Sequence, residues 1–576
     1  MKNSKLLAKS ITLGLILAMP YGIASADDIN EPGNWNIAKG DLVTGYDTIT
    51  VKDWTEISGN LGKFDEGKLG ATTFTTGNFR LNEGGEIYVG TLKTDRVGTD
   101  QSNNKIMNNI KGKIHANDIV FHNQTVSLTD TAEIYVTNNF DITIVEPSFS
   151  NNGKIDVGGT FKIMNENAET AMTFTNNGTI TGNNVDTSAI EKINNNNSID
   201  IKGSLKGKNI INTEKGNLTV GAIEANSINN KGIITGKDGV DSVNINADEL
   251  INTKEGKINI NGKIDTTGRI DNKAQIKAGS IESDAKLRND VNGIIEVSGE
   301  VTVDTLYNTG NISGKKLTAE NGLTNGGYNS GDNPESNLDF ENIDTESIIN
   351  SGKIEANVIY NKLNVSNMGS IDIKDNFVIE GVLKNNEGAS LNAVNLEIKQ
   401  NSEATSGATE SFNRGNMNIT GTMTLGDNAN FSFENNSNEQ VDINELIGKG
   451  NNNISIANGT TGIQIGTVDL SNGNIIVNSL EEAQITIGTN NSTGLQVTGT
   501  SKATDNFDEN NLLGSLQDLA DTVEIKDGEQ LDNVIAEEGK IFGQITAQVD
   551  DEGNIIAGSV IEDGNIANEG ITELAN

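Results

Sequence analysis

The sequence holds two histidines, His115 and His122, a residue type that often binds metal ions or moves protons near neutral pH. Both lie beside residues 119–121, whose β-branched and aromatic side chains predict a strand. A structural zinc site would need more ligands at short spacing, and the chain has no cysteine and no His-x-x-x-His motif. We therefore predict that both histidines are surface or strand-edge residues, and that the chain holds no metal or other cofactor.

Carboxylates are the second group with chemical potential, because paired Asp or Glu residues on one face of a β-helix would suit a polysaccharide hydrolase or lyase. The candidates stand between apolar residues that would point inward: Asp156, Asp200, Glu296 and Asp372. This placement predicts a solvated acidic face. The sequence has no G-x-S-x-G motif, and no P-loop or G-x-G-x-x-G fingerprint follows a strand and opens a helix. No catalytic residue is predicted.

The elements that carry these residues repeat along the chain. An apolar residue and Asn are followed by a short gap, Gly, and Ile-x-Ile or Ile-x-Val, as in residues 174–180 (FTNNGTI). The alternation of apolar and polar residues predicts half-buried strands. Successive repeat glycines are mostly 17 to 25 residues apart. The gap of 42 between Gly310 and Gly352 is expected to hide a degenerate turn or an inserted loop near Pro334. Predicted inward pairs include Ile87 with Val89, Ile134 with Val136, Ile199 with Ile201, Ile295 with Val297, and Phe377 with Ile379.

This repeat predicts an all-β fold, a right-handed parallel β-helix with an N-terminal cap and a short mixed α/β C-terminal segment. Asn at matched corners is expected to form a hydrogen-bonded ladder, and Gly and Asn to supply the positive φ of sharp corners. Residues 81–500 would make roughly 20 turns and a rod of about 100 Å. Disorder is the competing interpretation, since hydrophobic content is 34% and net charge −38. An all-β sandwich or barrel comes third.

Four segments are predicted. Residues 1–26 resemble a signal peptide, with lysines at positions 2, 5 and 9, an apolar core over 11–19 and Ala24-Ser25-Ala26 before the cleavage point. Residues 27–80 would be an irregular cap, in which Trp35 and Trp54 serve as packing residues. Residues 81–500 would be the β-helix. Residues 501–576 would be an acidic cap or junction, with a helix at 511–519 and strands at 541–549 and 555–560.

The net charge narrows the choice of partners. A formal charge of −38 makes nucleic acid a poor partner, because binding it needs a basic face that releases counterions. The absence of cysteine excludes disulfides and thiolate catalysis, and it is compatible with an exported chain.

Segments such as NNGKIDVGG (151–159), NNGTITG (176–182) and NMGSIDIKD (367–375), following a cleavable signal, resemble the passenger domains of bacterial autotransporters and adhesin-like surface proteins. The resemblance is one of repeat style and covers most of the chain. It implies export through the inner membrane, an outer-membrane translocator barrel as partner, and display of a β-helical rod. Strands of the translocator type are not found in these 576 residues, so a truncated passenger, a released rod and one anchored by another protein all stay open.

The function predicted is therefore adhesion, aggregation or host contact by a non-enzymatic, surface-displayed or secreted protein. Its ligand would be a host surface or a glycan, and the chain would be monomeric or self-associating. Two alternatives stay open: a secreted carbohydrate-active β-helix enzyme, and a purely structural spacer. Specificity is expected where the repeat breaks, before residue 81, between Gly310 and Gly352, and after residue 500.

Overall fold

The computed structural model describes residues 28–31, 33–94, 107–123, 125–144, 147–166, 170–327, 334–400, 410–436, 438–457, 459–470, 473–477, 485–491 and 496–500, and five short strands after residue 500. These residues fall into two compact units. The first comprises residues 28–270 with 274–279, and the second comprises 271–273 with the described residues from 280 onward.

Almost every described element is a strand. The strands up to the end of the first unit are β1 (Ile29–Glu31), β2 (Trp35–Ile37), β3 (Leu42–Val43), β4 (Tyr46–Ile57), β5 (Asn60–Leu61), β6 (Ala71–Leu81), β7 (Glu86–Thr94), β8 (Met107–Ile110), β9 (Lys113–Asn123), β10 (Thr125–Leu128), β11 (Glu133–Val136), β12 (Phe140–Ile144), β13 (Ser148–Asn151), β14 (Lys154–Asn165), β15 (Thr173–Asn176), β16 (Thr179–Asn195), β17 (Ser198–Ile201), β18 (Ser204–Asn212), β19 (Asn217–Val220), β20 (Ala222–Asn230), β21 (Ile233–Gly236), β22 (Asn244–Asn252), β23 (Lys257–Asn259), β24 (Lys263–Thr266), β25 (Ile270–Asn272) and β26 (Gln275–Ala278). One 3-10 helix, Phe64–Glu66, interrupts them.

The later strands are β27 (Ser280–Asn289), β28 (Ile294–Val297), β29 (Glu300–Asn308), β30 (Asn311–Asn325), β31 (Asn337–Thr345), β32 (Ile348–Asn350), β33 (Lys353–Asn361), β34 (Val365–Asn367), β35 (Ser370–Ile379), β36 (Leu383–Asn385), β37 (Ser390–Ile398), β38 (Ser411–Asn413), β39 (Asn416–Leu425), β40 (Phe431–Phe433), β41 (Val441–Gly448), β42 (Asn453–Ile456), β43 (Ile463–Asp469), β44 (Asn474–Val477), β45 (Ile485–Asn490), β46 (Gln496–Thr500), β47 (Val523–Ile525), β48 (Asn533–Glu537), β49 (Phe542–Val549), β50 (Ile555–Glu562) and β51 (Asn565–Ile571).

Each turn carries three short paired runs, as β19 and β20 illustrate. Leu218, Ile223 and Ile228 are buried, one in each run. Each aligns with the equivalent residue of the turns before and after, and Leu218 for example pairs with Ile199 and Ile234. The backbone pairing of β20 is interrupted at residue 226. The runs before and after this residue both pair with β18 and β22. The predicted parallel β-helix is confirmed, with about 20 turns in the chain.

The inward positions predicted from Ile-x-Ile alternation are also confirmed. Ile87, Ile134, Ile199, Ile295 and Phe377 are all fully buried, and their partners two residues on are buried to within a few per cent. The strand burial patterns alternate buried and accessible residues, as period-two strands require.

A buried asparagine ladder closes one corner of the turns in each unit. In the first unit the amide nitrogen of each Asn donates to the amide oxygen of the next at 2.8 to 2.9 Å, through Asn151, Asn176, Asn195, Asn212, Asn230 and Asn252. In the second unit the ladder runs through Asn272, Asn289, Asn308, Asn325, Asn350, Asn367, Asn385, Asn413 and Asn435. Ladder partners are 17 to 28 residues apart, which measures the length of a turn. The predicted ladder is confirmed.

The reason predicted for the repeat glycines is wrong at most corners. Among the repeat glycines, Gly388 has a positive φ of 74°, but Gly178, Gly310 and Gly369 do not. A Cβ atom there would instead lie 1.9 Å (Gly178), 2.3 Å (Gly310) and 2.1 Å (Gly369) from the carbonyl oxygen of a glycine one turn earlier. Glycine is required because successive corners approach closely, and the left-handed conformation is needed only locally.

Three sequence predictions concern the ends and the gap. The predicted cap contains strands β1 to β6, which pair in parallel with one another and with the following turns, so its described residues are solenoid rather than irregular. The gap between Gly310 and Gly352 holds one hidden turn, which ends at Asn325. Residues 328–333, next to the loop predicted near Pro334, lie outside the described residues. Strands β48 to β51 pair antiparallel, and β49 and β50 match the predicted strands. The helix predicted at 511–519 lies outside the described residues, as does the signal segment 1–26.

Candidate functional site

The two histidines share β9 but lie on different sides of the turn. Both runs of β9 pair with β7, but the run that contains His115 pairs on its other side with β11, and the run that contains His122 pairs with β12. His115 is half-buried and His122 is exposed. The structure therefore does not bring them together, and no group of three His, Asp or Glu residues suited to a metal ion occurs among the described residues.

His115 belongs instead to a row of outward-facing rings on three successive turns. Tyr88 aligns with His115, and His115 aligns with Tyr135. Each ring stands between two buried neighbours of its strand, so each projects from the solenoid surface. The next residue in the row is Asp156, one of the predicted outward carboxylates.

A fourth ring, Phe64, reaches this row from the 3-10 helix between β5 and β6. Its ring is stacked on His115 with centroids 4.1 Å apart and planes inclined by 6°. His115 is in turn stacked on Tyr135 at 4.7 Å and 9°. The ammonium of Lys154 lies 4.7 Å from the centroid of the Tyr135 ring. The result is a continuous stack in which His115 has an aromatic ring on both faces.

The outer face of Phe64 is open. Tyr88 contacts Phe64 edge-on, with centroids 5.3 Å apart, and lies 6.5 Å from His115. The Phe64 and His115 centroids are 4.1 Å apart. The three distances give an angle of nearly 90° at the Phe64 centroid, between the directions to His115 and to Tyr88. Tyr88 therefore lies beside the Phe64 ring and leaves its second face uncovered. Phe64 is 49% exposed.

Phe64 is also one of the residues that line a cleft of about 920 Å³ on the surface of the first unit. Its lining includes Phe64, Glu83, Glu86, Tyr88, Lys113 and His115. The volume lies in the range of pockets that hold small organic ligands. The cleft is mixed in character, with aromatic rings, carboxylates and lysines, as a binding site for a polar ligand would be.

The loop that presents Phe64 is held by several contacts. The backbones of Lys63 and Lys68 exchange two hydrogen bonds of 2.7 and 3.0 Å, and Gly67 takes a left-handed conformation with φ of 65°. Glu66 lies between the two lysine ammonium groups at 2.5 and 2.6 Å. The hydrogen bond from Lys63 lowers the pKa of Glu66 to about 2. The backbone N–H of Phe64 donates to Glu86 Oε1 at 2.9 Å, which ties the loop to β7.

Burial and hydrogen bonding set the charges beneath the stack. Burial between rings lowers the pKa of His115, so the imidazole is neutral at pH 7. The hydroxyl of Tyr135 donates to Glu133 Oε2 at 2.7 Å, and this bond lowers the pKa of Glu133. Lys113 lies 3.4 Å from the same oxygen. The Tyr135 hydroxyl, the Glu133 carboxylate and the Lys113 ammonium are thus paired with one another. This pairing suits a stabilising role at the surface better than the activation of a nucleophile.

The four predicted outward carboxylates are divided between the two units, two in each. All four lie at accessible positions of their strands. Asp156 borders the cleft, and Asp200 lies two turns on, separated by Thr181 in the register. Asp200 is paired with Lys237 at 2.5 Å. Glu296 and Asp372 belong to the second unit.

The tryptophans, which were predicted to be packing residues of the cap, each contact one neighbouring side chain. Trp35 contacts the buried ring of Phe74 edge-on at 6.3 Å. Trp54 is half-buried under the guanidinium of Arg80, which lies 5.6 Å from its ring centroid.

Sequence reasoning did not single out Phe64, Tyr88 or Tyr135. A signal for the two tyrosines exists, because each occupies the outward position of an Ile-x-Val strand, where the repeat otherwise places small polar or charged residues. Phe64 has no such signal. It lies in an irregular loop, and only the folded register shows that this loop meets His115, 51 residues later.

Comparisons with protein-family models, with curated proteins and with solved structures return no match. Within the described ranges, none of the helical structure has the length and apolar character needed to cross a membrane.

Proposed function

We propose that this chain is a non-catalytic binding protein of the adhesin type, which is exported and either displayed at the cell surface or secreted. The observation that carries the proposal is the exposed ring of Phe64, which a preformed loop holds in the lining of a cleft of about 920 Å³. Preorganised aromatic anchors contribute much of the affinity at binding sites, because little conformational entropy is lost when they are covered.

Export is supported by sequence alone. The basic and apolar residues of positions 1–19, the Ala-Ser-Ala motif and the absence of cysteine all favour a secreted chain. The resemblance of the Asn, Gly and Ile repeats to autotransporter passengers adds an outer-membrane translocator barrel to this proposal as the partner in export. The parallel β-helix fits that role, since stacked turns give a scaffold on which loops present a ligand site.

Binding to whole cells tests the proposal. Fluorescently labelled protein (residues 27–576) would be titrated onto a panel of cultured eukaryotic cells at 150 mM salt. We expect saturable binding that Phe64→Ala weakens at least tenfold. The matched control is Val291→Ala, because Val291 is 58% exposed in the second unit and lies outside the cleft. Equal binding by wild type and the Phe64 variant would show that the cleft does not take part in binding to cells.

A turnover assay addresses the enzymatic alternative. The same protein would be incubated with a panel of neutral and acidic polysaccharides, and reducing ends and unsaturated products would be measured. We expect no product above the heat-inactivated control. Reproducible turnover would overturn the non-catalytic proposal.

A further inference from the structure

We infer that the cleft of the first unit recognises a primary alkylammonium group, such as a lysine side chain of a partner protein, placed over the outer face of Phe64. This inference rests on the proposed binding function and names the chemistry of its ligand. Three features of the described residues carry it: the unequal ends of the ring stack, the charges around Phe64, and the hydrogen-bond acceptors beside it.

The two ends of the stack differ in one respect. At the Tyr135 end, the ammonium of Lys154 covers the last ring at 4.7 Å and donates a hydrogen bond of 3.3 Å to the Tyr135 hydroxyl. At the Phe64 end, the last ring face is open and no described cation covers it. A cation over a ring face is attracted by the quadrupole of the ring. The Phe64 face is therefore the equivalent of a site that the protein itself fills with an ammonium at the other end.

The same pairing recurs elsewhere on the solenoid surface. Four other outward rings are covered by a cation of the chain itself: Trp54 by Arg80, Tyr307 by Lys286, Tyr360 by Lys399, and Phe412 by Arg414. Phe64 is the most exposed of the described Phe, Tyr and Trp side chains. Tyr88 has no such cation but lies edge-on against Phe64, whereas an external cation over Phe64 would repeat the arrangement of these four rings.

The charges around Phe64 favour a cation. Asp65, Glu83 and Glu86 line the same cleft as Phe64, and none of them forms an ion pair with a described residue. Lys113 also lines it, but its ammonium lies 3.4 Å from Glu133. Lys111 is the other lining lysine and is exposed. With a net charge of −38, the whole chain adds long-range attraction for cations.

The acceptors favour a primary ammonium over a quaternary one. Carboxylate oxygens of Glu83 and Glu86 can accept N–H hydrogen bonds, which a quaternary ammonium cannot donate. The Lys154 site shows both interactions together, a ring contact and a hydrogen bond from the ammonium. A cleft of about 920 Å³ is much larger than one ammonium group, so the ligand carries this group on a larger framework.

The test uses N-acetyl-lysine methylamide as the probe, with the full-length mature protein at 150 mM salt. Saturation-transfer NMR with irradiation of protein aromatic protons should label the probe at the methylenes next to the ammonium, and calorimetry should give a saturable affinity. The Nε-acetylated probe, which has no charge, should bind at least tenfold more weakly. Equal binding of the two probes would overturn the inference, and so would tighter binding of tetramethylammonium.

Variants locate the site. Phe64→Leu keeps an apolar side chain but removes the ring, and should weaken binding of the probe roughly 3- to 30-fold, whereas Phe64→Tyr should retain it. Glu86→Gln should also weaken binding, and Lys111→Gln should strengthen it by removing a like charge. Val291→Ala should change nothing. Unchanged affinity in Phe64→Leu, with its thermal unfolding also unchanged, would place the ammonium elsewhere.

The two failures are distinguishable. If Phe64→Ala abolishes binding to cells while the lysine probe does not bind, the adhesion function stands and the ligand class is wrong. If the probe binds at Phe64 while no cell binding is seen, the ligand class stands and the adhesion function is wrong.

Discussion

At the residue scale, His115 shows how a side chain with catalytic potential can serve as structure. Its imidazole is stacked between Phe64 and Tyr135 at 4.1 and 4.7 Å. Burial between these rings lowers its pKa, although Glu86, Asp65 and Glu133 oppose the shift and Lys113 adds to it. A neutral imidazole costs less to enclose between rings than an imidazolium that has lost part of its hydration.

The lowered pKa of His115 predicts a dependence of stability on pH. The folded protein binds this proton less readily than the unfolded chain, whose histidine has the ordinary pKa of 6.5. The contribution to stability is therefore complete above pH 6.5 and is lost as the pH falls through the lower folded pKa. We expect the thermal midpoint of the first unit to fall between pH 7.5 and 5.5 in wild type, and to fall less in His115→Phe.

His122→Phe is the matched control for that experiment, because His122 is exposed on the same strand. All three proteins carry the same carboxylates, so the comparison among them isolates one histidine. An identical fall in wild type and His115→Phe would contradict the assignment.

At the scale of the element, the asparagine ladder replaces apolar stacking at one corner. The same register position holds Ile57, Leu81, Ile110 and Leu128 in the early turns, and Asn151 follows them. From there each amide donates to the next turn, so all the side-chain dipoles of a ladder point the same way. Aligned hydrogen bonds in a buried environment reinforce one another. The Asn nitrogens also donate to backbone oxygens, as Asn308 does to Gly310.

Position within the ladder should determine the effect of removing an asparagine. Asn308→Ala breaks two ladder bonds, those with Asn289 and Asn325, both of 2.8 Å. Asn151→Ala, at the start of a ladder, breaks one ladder bond, the bond to Asn176. Because buried polar groups are left without partners, we expect a loss of roughly 2–5 kcal/mol in the first case and about half of that in the second.

Denaturant unfolding with hydrogen exchange would measure both losses. Exchange should increase at the backbone amides of the two turns that flank each substitution. Asn311→Ala is the matched control in the second unit, since its side chain is exposed at the start of β30. Equal losses of unfolding free energy in Asn151→Ala and Asn308→Ala would contradict the prediction, because the effect would then not depend on the number of ladder bonds broken.

A charged residue at an inward position should disrupt a turn locally. Ile373 is 4% exposed and aligns with Ala356 and Ala393 in the adjacent turns. Ile373→Asp would bury an unpaired carboxylate and should cost about 3–5 kcal/mol within these turns. The neighbouring Asp372 is accessible, so Asp372→Asn should leave the unfolding transition nearly unchanged. Protection from hydrogen exchange in β33, β35 and β37 would report the difference.

Elements were more predictable from the sequence than the candidate site. Period-two alternation identified inward residues such as Ile199 and Phe377 because burial of one strand face follows from local pattern alone. The close approach of Gly178 to the corner one turn earlier could not be predicted from the local sequence, since it depends on the spacing of the folded turns. The site depends on such contacts too, because Phe64 and His115 meet only when a loop and a later turn are stacked.

At the scale of the whole molecule, charge is the dominant feature. The chain carries 80 acidic and 42 basic residues, and solvent-accessible rows of the turns place carboxylates in successive positions. Glu355 and Asp372 are an example, aligned directly across adjacent strands. Ion pairs such as Lys206 with Glu224 offset part of this repulsion, but exposed pairs contribute little each. Self-repulsion therefore opposes the folded state at low ionic strength.

Salt should consequently stabilise this protein at neutral pH. The Debye length falls from about 30 Å at 10 mM to about 10 Å at 100 mM ionic strength, which screens repulsion across several turns. We expect the thermal midpoint at pH 7 to rise by a few degrees between 10 and 200 mM NaCl, because repulsion among 38 excess negative charges outweighs the screened ion pairs. The same titration near pH 4.3, where the net charge vanishes, should show little or no rise. A midpoint that falls with salt at pH 7 would mean that the ion pairs between turns contribute more to stability than the excess charge removes.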